Sequence, residues 1–80
     1  MYTIKTKKSG KTFESDMIVE SANPERLYVG LPNTTPVEAT VFLDPEEIEI
    51  EGHEDYTGFC SMNTTPAGGV IICLMKGGAT

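Results

Sequence analysis

Within five residues, Glu51, His53, Glu54 and Asp55 gather one imidazole and three carboxylates, and Cys60 and Cys73 follow with two thiols. Two kinds of chemistry draw on such a set: holding a divalent cation, or activating a cysteine nucleophile with a histidine base. The spacing fits neither. A calcium loop of the EF-hand type needs oxygen ligands at fixed alternate positions, a central glycine and a terminal glutamate. Zinc needs more nitrogen and sulfur than one histidine and two distant thiols supply. Both cysteines lie in apolar, strand-like sequence, where burial raises a thiol's pKa and suppresses its attack. The segment therefore reads as a solvated acidic turn. No catalytic residue, metal ligand or cofactor is expected, and the chain reads as non-enzymatic, because eighty residues leave little room for a substrate cleft beside a core.

Charge offers a different kind of site. Lys5, Lys7, Lys8 and Lys11 crowd the first turn, whereas seven acidic residues fall between Asp44 and Asp55, in a chain whose formal charge is −6. The negative total repels a phosphate backbone, and the lysines lack interleaved aromatics for base stacking, so nucleic acid is not expected as a partner. Segregated signs instead suit a protein partner or self-association, with Lys7, Lys8 and Lys11 of one copy against Glu47, Glu49 and Glu51 of a neighbour. No membrane is expected either, since the longest apolar run, Val70 to Met75, is too short to span one. No secretory signal is read near Met1, and the two cysteines are expected as free thiols.

These residues must be positioned by strands. Tyr2 to Thr6 and Lys11 to Glu14 alternate around Lys7-Lys8-Ser9-Gly10 and predict a hairpin. Met17-Ile18-Val19 predicts a strand, Ser21 to Pro24 an interruption, and Arg26 to Leu31 a strand with Leu27, Val29 and Leu31 on one face. Thr35, Pro36 and Glu38 form the one good helix start, a capping box opening a helix from Pro36 to about Leu43, with a strand as the alternative where Thr40-Val41-Phe42 is β-branched and aromatic. Asp44-Pro45 ends it. Glu47 to Glu51 alternates without exception, which predicts a strand with Ile48 and Ile50 on one face and three carboxylates on the other. Tyr56 to Met62 and Val70 to Lys76 form a last strand pair. Symmetry about its loop pairs Cys60 with Cys73, Phe59 with Leu74 and Ser61 with Ile72, setting the thiols face to face as small core filler, with a cross-strand disulfide as the minor alternative. Asn33-Thr34-Thr35-Pro36 recurs as Asn63-Thr64-Thr65-Pro66, read as two turns built from turn-forming residues.

The fold expected is a single small α+β domain over 1–76 with a flexible tail, 77–80: a bent antiparallel sheet or partly open barrel of five to seven strands with one short helix over 36–43. Such a small chain buries only about 60–65 per cent of the surface it exposes unfolded.

Tyr2-Thr3-Ile4-Lys5-Thr6, Gly10-Lys11-Thr12-Phe13, Glu38-Ala39, Phe42-Leu43-Asp44-Pro45-Glu46-Glu47 and Tyr56-Thr57-Gly58-Phe59 together resemble a loose family of small phage and prophage proteins of gut Firmicutes. None of these motifs is catalytic, and Pro36 and Pro66 depart from the usual pattern. The resemblance implies a hairpin, a capped helix ending in an Asp-Pro-Glu-Glu-like turn, and an aromatic-x-Gly-aromatic strand before a C-terminal apolar one. It also implies a tail or baseplate accessory, located in the host cytoplasm or the virion. Two alternatives stand beside that role. The acidic segment Glu47 to Glu51 suits an inhibitor of a host defence protein that mimics phosphate, and a small-ligand-binding domain would need a pocket.

Overall fold

A computed structural model describes residues 2–22 and 25–77 of the chain. Its backbone follows the expected alternation at the start: β1 (Tyr2–Lys5) and β2 (Thr12–Ser15) pair antiparallel, with Ile4 opposite Phe13. The turn between them is closed by Thr6, whose hydroxyl accepts from the Lys11 amide at 2.8 Å, and Gly10 takes the left-handed φ of +71° that the tight return requires. Ser15 then turns the chain out of this small sheet, its hydroxyl donating to the Met17 carbonyl at 2.9 Å.

A second sheet holds four strands in the order β3-β4-β6-β5, where β3 is Met17–Ala22, β4 Glu25–Leu31, β5 Gly58–Thr64 and β6 Val70–Met75. Every neighbouring pair is antiparallel. The fold is thus a small α+β one, with six strands in two sheets and one short α-helix among the described residues, and the sheet does not close into a barrel. Ser21 and Ala22 continue β3 instead of interrupting it; Asn23 and Pro24, the rest of that expected break, lie outside the described residues.

The capping box forms as the sequence predicts. The Glu38 amide donates to Thr35 Oγ1 at 3.2 Å while the Thr35 amide donates to Glu38 Oε1 at 2.9 Å. The Thr35 amide, and after it the Thr35 hydroxyl, both donating to Glu38 Oε1, hold that carboxyl below its ordinary pKa. The α-helix α1 (Pro36–Ala39) is shorter than expected, because the chain tightens into a 3₁₀ turn over Thr40–Leu43. Two local causes are visible: Thr40 Oγ1 donates back to the Val37 carbonyl at 2.6 Å, and the β-branched Val41 follows. Asp44, ahead of Pro45, leaves helical geometry and caps a second 3₁₀ turn, Pro45–Glu47, through the Glu46 amide.

Residues 48–50 depart from expectation in one respect. Ile48 and Ile50 are buried and Glu49 and Glu51 exposed, as the alternation predicts, yet the segment has no ladder partner and is not a strand. It passes instead beneath the main sheet. Leu27, Val29, Leu31, Val70, Ile72 and Leu74 line the inner face, and Ile4, Phe13, Phe42, Ile48, Ile50 and Tyr56 pack against them. The Phe13 and Phe42 rings meet at 5.0 Å between centroids. At the far end, Gly77 belongs to the fold and not to a tail, since its amide donates to the Asp55 carbonyl at 2.8 Å; residues 78–80 lie outside the described residues. No helix among the described residues is long and apolar enough to cross a membrane.

Candidate interaction surface

The main sheet has two faces, and among the described residues only the inner one is covered, by the small sheet and the helical segment. Register places three rows across its outer face: Met17, Gly30, Ile71 and Asn63; then Val19, Tyr28, Cys73 and Ser61; then Ser21, Arg26, Met75 and Gly58. Apolar side chains fill the middle of this array. Val19 is 48% exposed, Tyr28 37% and Met75 38%. None of the chain's twelve acidic residues occupies any of these positions, and Arg26 is the only charged one.

One end of the face is notched. A Cβ on Gly30 would come within 2.7 Å of Asp16 Oδ1 and 3.4 Å of Met17 Cβ, so glycine lets both side chains lie over the strand. Beside them an open, largely apolar groove of about 260 Å³ runs between Met17, Gly30, Ile71, Thr65 and Ala67. The two Asn-Thr-Thr-Pro turns meet here: a Cβ on Gly69 would come within 2.6 Å of the Leu31 carbonyl and 2.9 Å of Pro32 Cα, which shows how closely the backbones run. Asn33 takes a φ of +62°, the second central position of a Pro-Asn turn. Asp16 therefore marks one end of the apolar face and Arg26 the other.

Sequence reasoning did not find this face. The signal was present in Val70 to Met75, an unbroken apolar run, since a strand without alternation carries apolar residues on both sides.

The expected opposition of the thiols is altered by a bulge. Phe59 pairs with Leu74 as predicted, but Ser61, not Cys60, stands opposite Cys73, and Met62, not Ser61, opposite Ile72. Cys60 is the extra residue and is exposed, whereas Cys73 is buried. The Cys73 sulfur has the Cys60 thiol and the Tyr28 and Ser61 hydroxyls as polar neighbours; its pKa is raised, chiefly by burial and then by Cys60.

Lys8 and Glu47 are engaged within the chain. Glu47 Oε1 accepts the amides of Lys8 at 2.6 Å and Ser9 at 2.9 Å, and Oε2 accepts the Ser9 hydroxyl. The hydroxyl bond, ahead of the two amides, lowers the Glu47 pKa. Lys8 Nζ lies 3.6 Å from Asp44 and 3.7 Å from Glu46, and Asp44 foremost raises its pKa. Lys7, Lys11, Glu49 and Glu51 remain exposed. Lys5 shares a shallow depression with Glu49, Glu51 and Glu54. The basic turn and the acidic segment, expected as separated poles, abut in the fold.

His53 is placed beside Glu20 and Tyr56. Its Nδ1 lies 4.0 Å from Glu20 Oε1, and its ring sits edge-on to buried Tyr56. The Tyr56 hydroxyl donates to Glu20 Oε2 at 2.7 Å, a bond that holds the phenol protonated and raises its pKa. Lys76 ties the same end together through Glu25 at 2.7 Å and Asp55 at 3.6 Å, and the Glu25 bond leads in raising its pKa. No group of three or more histidine, cysteine or acidic side chains is placed to hold a metal ion among the described residues.

Comparison of the chain with protein-family models, with curated proteins and with solved structures returns no match.

Proposed function

We propose that this chain is a non-enzymatic interaction module that assembles with a second copy of itself through the outer face of the main sheet; a tail or baseplate accessory is the setting its resemblance to phage proteins implies. The observation that carries this reading is the apolar array of Val19, Tyr28, Ile71 and Met75, uncovered among the described residues and bordered by a single carboxylate, Asp16, in a chain of net charge −6. Elsewhere two copies repel. On this face they do not, and its ends are complementary: Arg26 lies four residues along β4 from the Gly30 notch that Asp16 covers, about 13 Å at roughly 3.3 Å per residue. A two-fold axis lying in the contact plane and running across the strands reverses one copy's strands relative to the other's. Arg26 of each then meets Asp16 of its neighbour.

The face is small. Four strands about 4.8 Å apart and six residues long project roughly 400 Å², below what a tight interface buries. A single contact is therefore weak, and repeated copies in an assembly supply the missing strength by avidity.

Sedimentation velocity over a wide concentration range tests the reading. The expected result is a monomer–dimer equilibrium abolished by Val19→Lys, weakened by Arg26→Glu and restored by Arg26→Glu with Asp16→Lys. A chain that stays monomeric at high concentration, or a dimer indifferent to all three changes, overturns it.

A further inference from the structure

We infer that Cys60 and Cys73 form a redox-active dithiol that reacts with small disulfides such as oxidised glutathione, Cys60 being the entry thiol and Cys73 the resolving one. The bulge makes this pair. In an ordinary ladder one residue of β5 would face Cys73; here Cys60 and Ser61 share that place, so an exposed thiol is held beside a buried one on the adjacent strand. Cys60 is on the edge strand and open to an incoming disulfide, while Cys73, on an interior strand, is buried. Two thiols side by side, one accessible and one not, are what sequential exchange requires.

The step balances as follows. The Cys60 thiolate attacks one sulfur of the small disulfide, whose S–S bond breaks, releasing one thiolate that takes up the proton Cys60 lost. Cys73 then loses its proton and attacks Cys60 Sγ, expelling the second small thiol, which carries that proton away. The protein dithiol is oxidised by two electrons and the small disulfide is reduced to two thiols. Because burial keeps Cys73 protonated, the second step is the slower and quickens as pH rises. The Tyr28 and Ser61 hydroxyls beside Cys73 act in the opposite direction, lowering its pKa, but burial and then Cys60 outweigh them.

Cys73 lies in the middle row of the face assigned to self-association, so the test is run on dilute whole chain, where that face is free and the dithiol is read without the dimer. Oxidised glutathione is added, thiols are trapped with acid and alkylating agent, and intact mass and peptide mapping follow. The expected product is a chain lighter by two hydrogen atoms, carrying a Cys60–Cys73 bond and no adduct. Cys73→Ser is expected to stop at one stable glutathione adduct on Cys60. Cys60→Ser is expected to take no adduct while folded. A wild-type chain that keeps the glutathione adduct, or forms only Cys60–Cys60 dimers, overturns the proposal, and mapping of the wild type decides this even where a serine variant does not fold.

Discussion

Glu47 accepts both the amide and the hydroxyl of Ser9, 38 residues earlier in the chain, so one buried carboxylate fastens the first hairpin's turn to the segment beneath the main sheet. The Lys7 amide adds a bond to the Glu47 carbonyl at 3.2 Å. The small sheet has only two strands and would be marginal alone. Its attachment therefore depends on Ile4 and Phe13 inside and on this clamp at the rim.

The clamp is sensitive to acid. Glu47 has a folded-state pKa below the ordinary glutamate value of 4.5, so the stability it contributes is fully present above that value and is lost as pH falls through it toward the lower folded-state one. Glu47→Gln is expected to be less stable than wild type at neutral pH, with the gap narrowing as the solution is acidified. Urea unfolding of both chains across the acid range measures it, and a gap constant with pH is the contrary result.

Two glycines are expected to respond differently to alanine. At Gly69 the new Cβ meets the backbone of Leu31 and Pro32, which cannot yield without moving β4, and a loss of about 1–3 kcal/mol is expected. At Gly30 the closest atom is the end of the Asp16 side chain, which can swing away. Gly30→Ala should keep the fold's stability to within about 1 kcal/mol. It should also fill the notch and weaken dimer formation. Denaturant midpoints and sedimentation on the two variants separate these effects.

Thr35→Ala removes the acceptor for the Glu38 amide and half of the reciprocal cap, and is expected to cost about 1 kcal/mol. The effect should fall on the helical segment first. Hydrogen exchange is expected to rise at Ala39, whose amide bonds Thr35, before it rises in β4 or β6.

What the sequence told and withheld follows from the range of each interaction. Leu27, Val29 and Leu31, the capping box, and the burial of Ile48 and Ile50 are local patterns, and each was legible from spacing alone. The missing ladder beside Ile48 was not, because pairing depends on which strand the chain brings alongside. Nor was the burial of Glu47, whose partners stand at the other end of the sequence and whose type normally faces water. The outer face was half legible: the run Val70 to Met75 advertised apolar residues on both sides of a strand, but Val19 and Tyr28 join it only through the β3-β4-β6 order.

The bulge leads to a prediction that runs against the usual rule. Deleting one residue from a strand normally turns every later side chain to the opposite face. In β5, however, Phe59 already pairs with Leu74 and Ser61 with Cys73, so Cys60 is the only residue without a place in the ladder. Removing it joins two segments already in register: Met62 stays against the core, Ser61 stays outside, and the edge strand becomes regular. A chain lacking Cys60 is therefore expected to fold with a denaturant midpoint near that of wild type. Deletion of Ile72 from the central strand should abolish cooperative unfolding, because it throws Val70 or Leu74 outward. If loss of Cys60 proves as destructive as loss of Ile72, the register across β5 and β6 is not the one described, and the dithiol built on it falls as well.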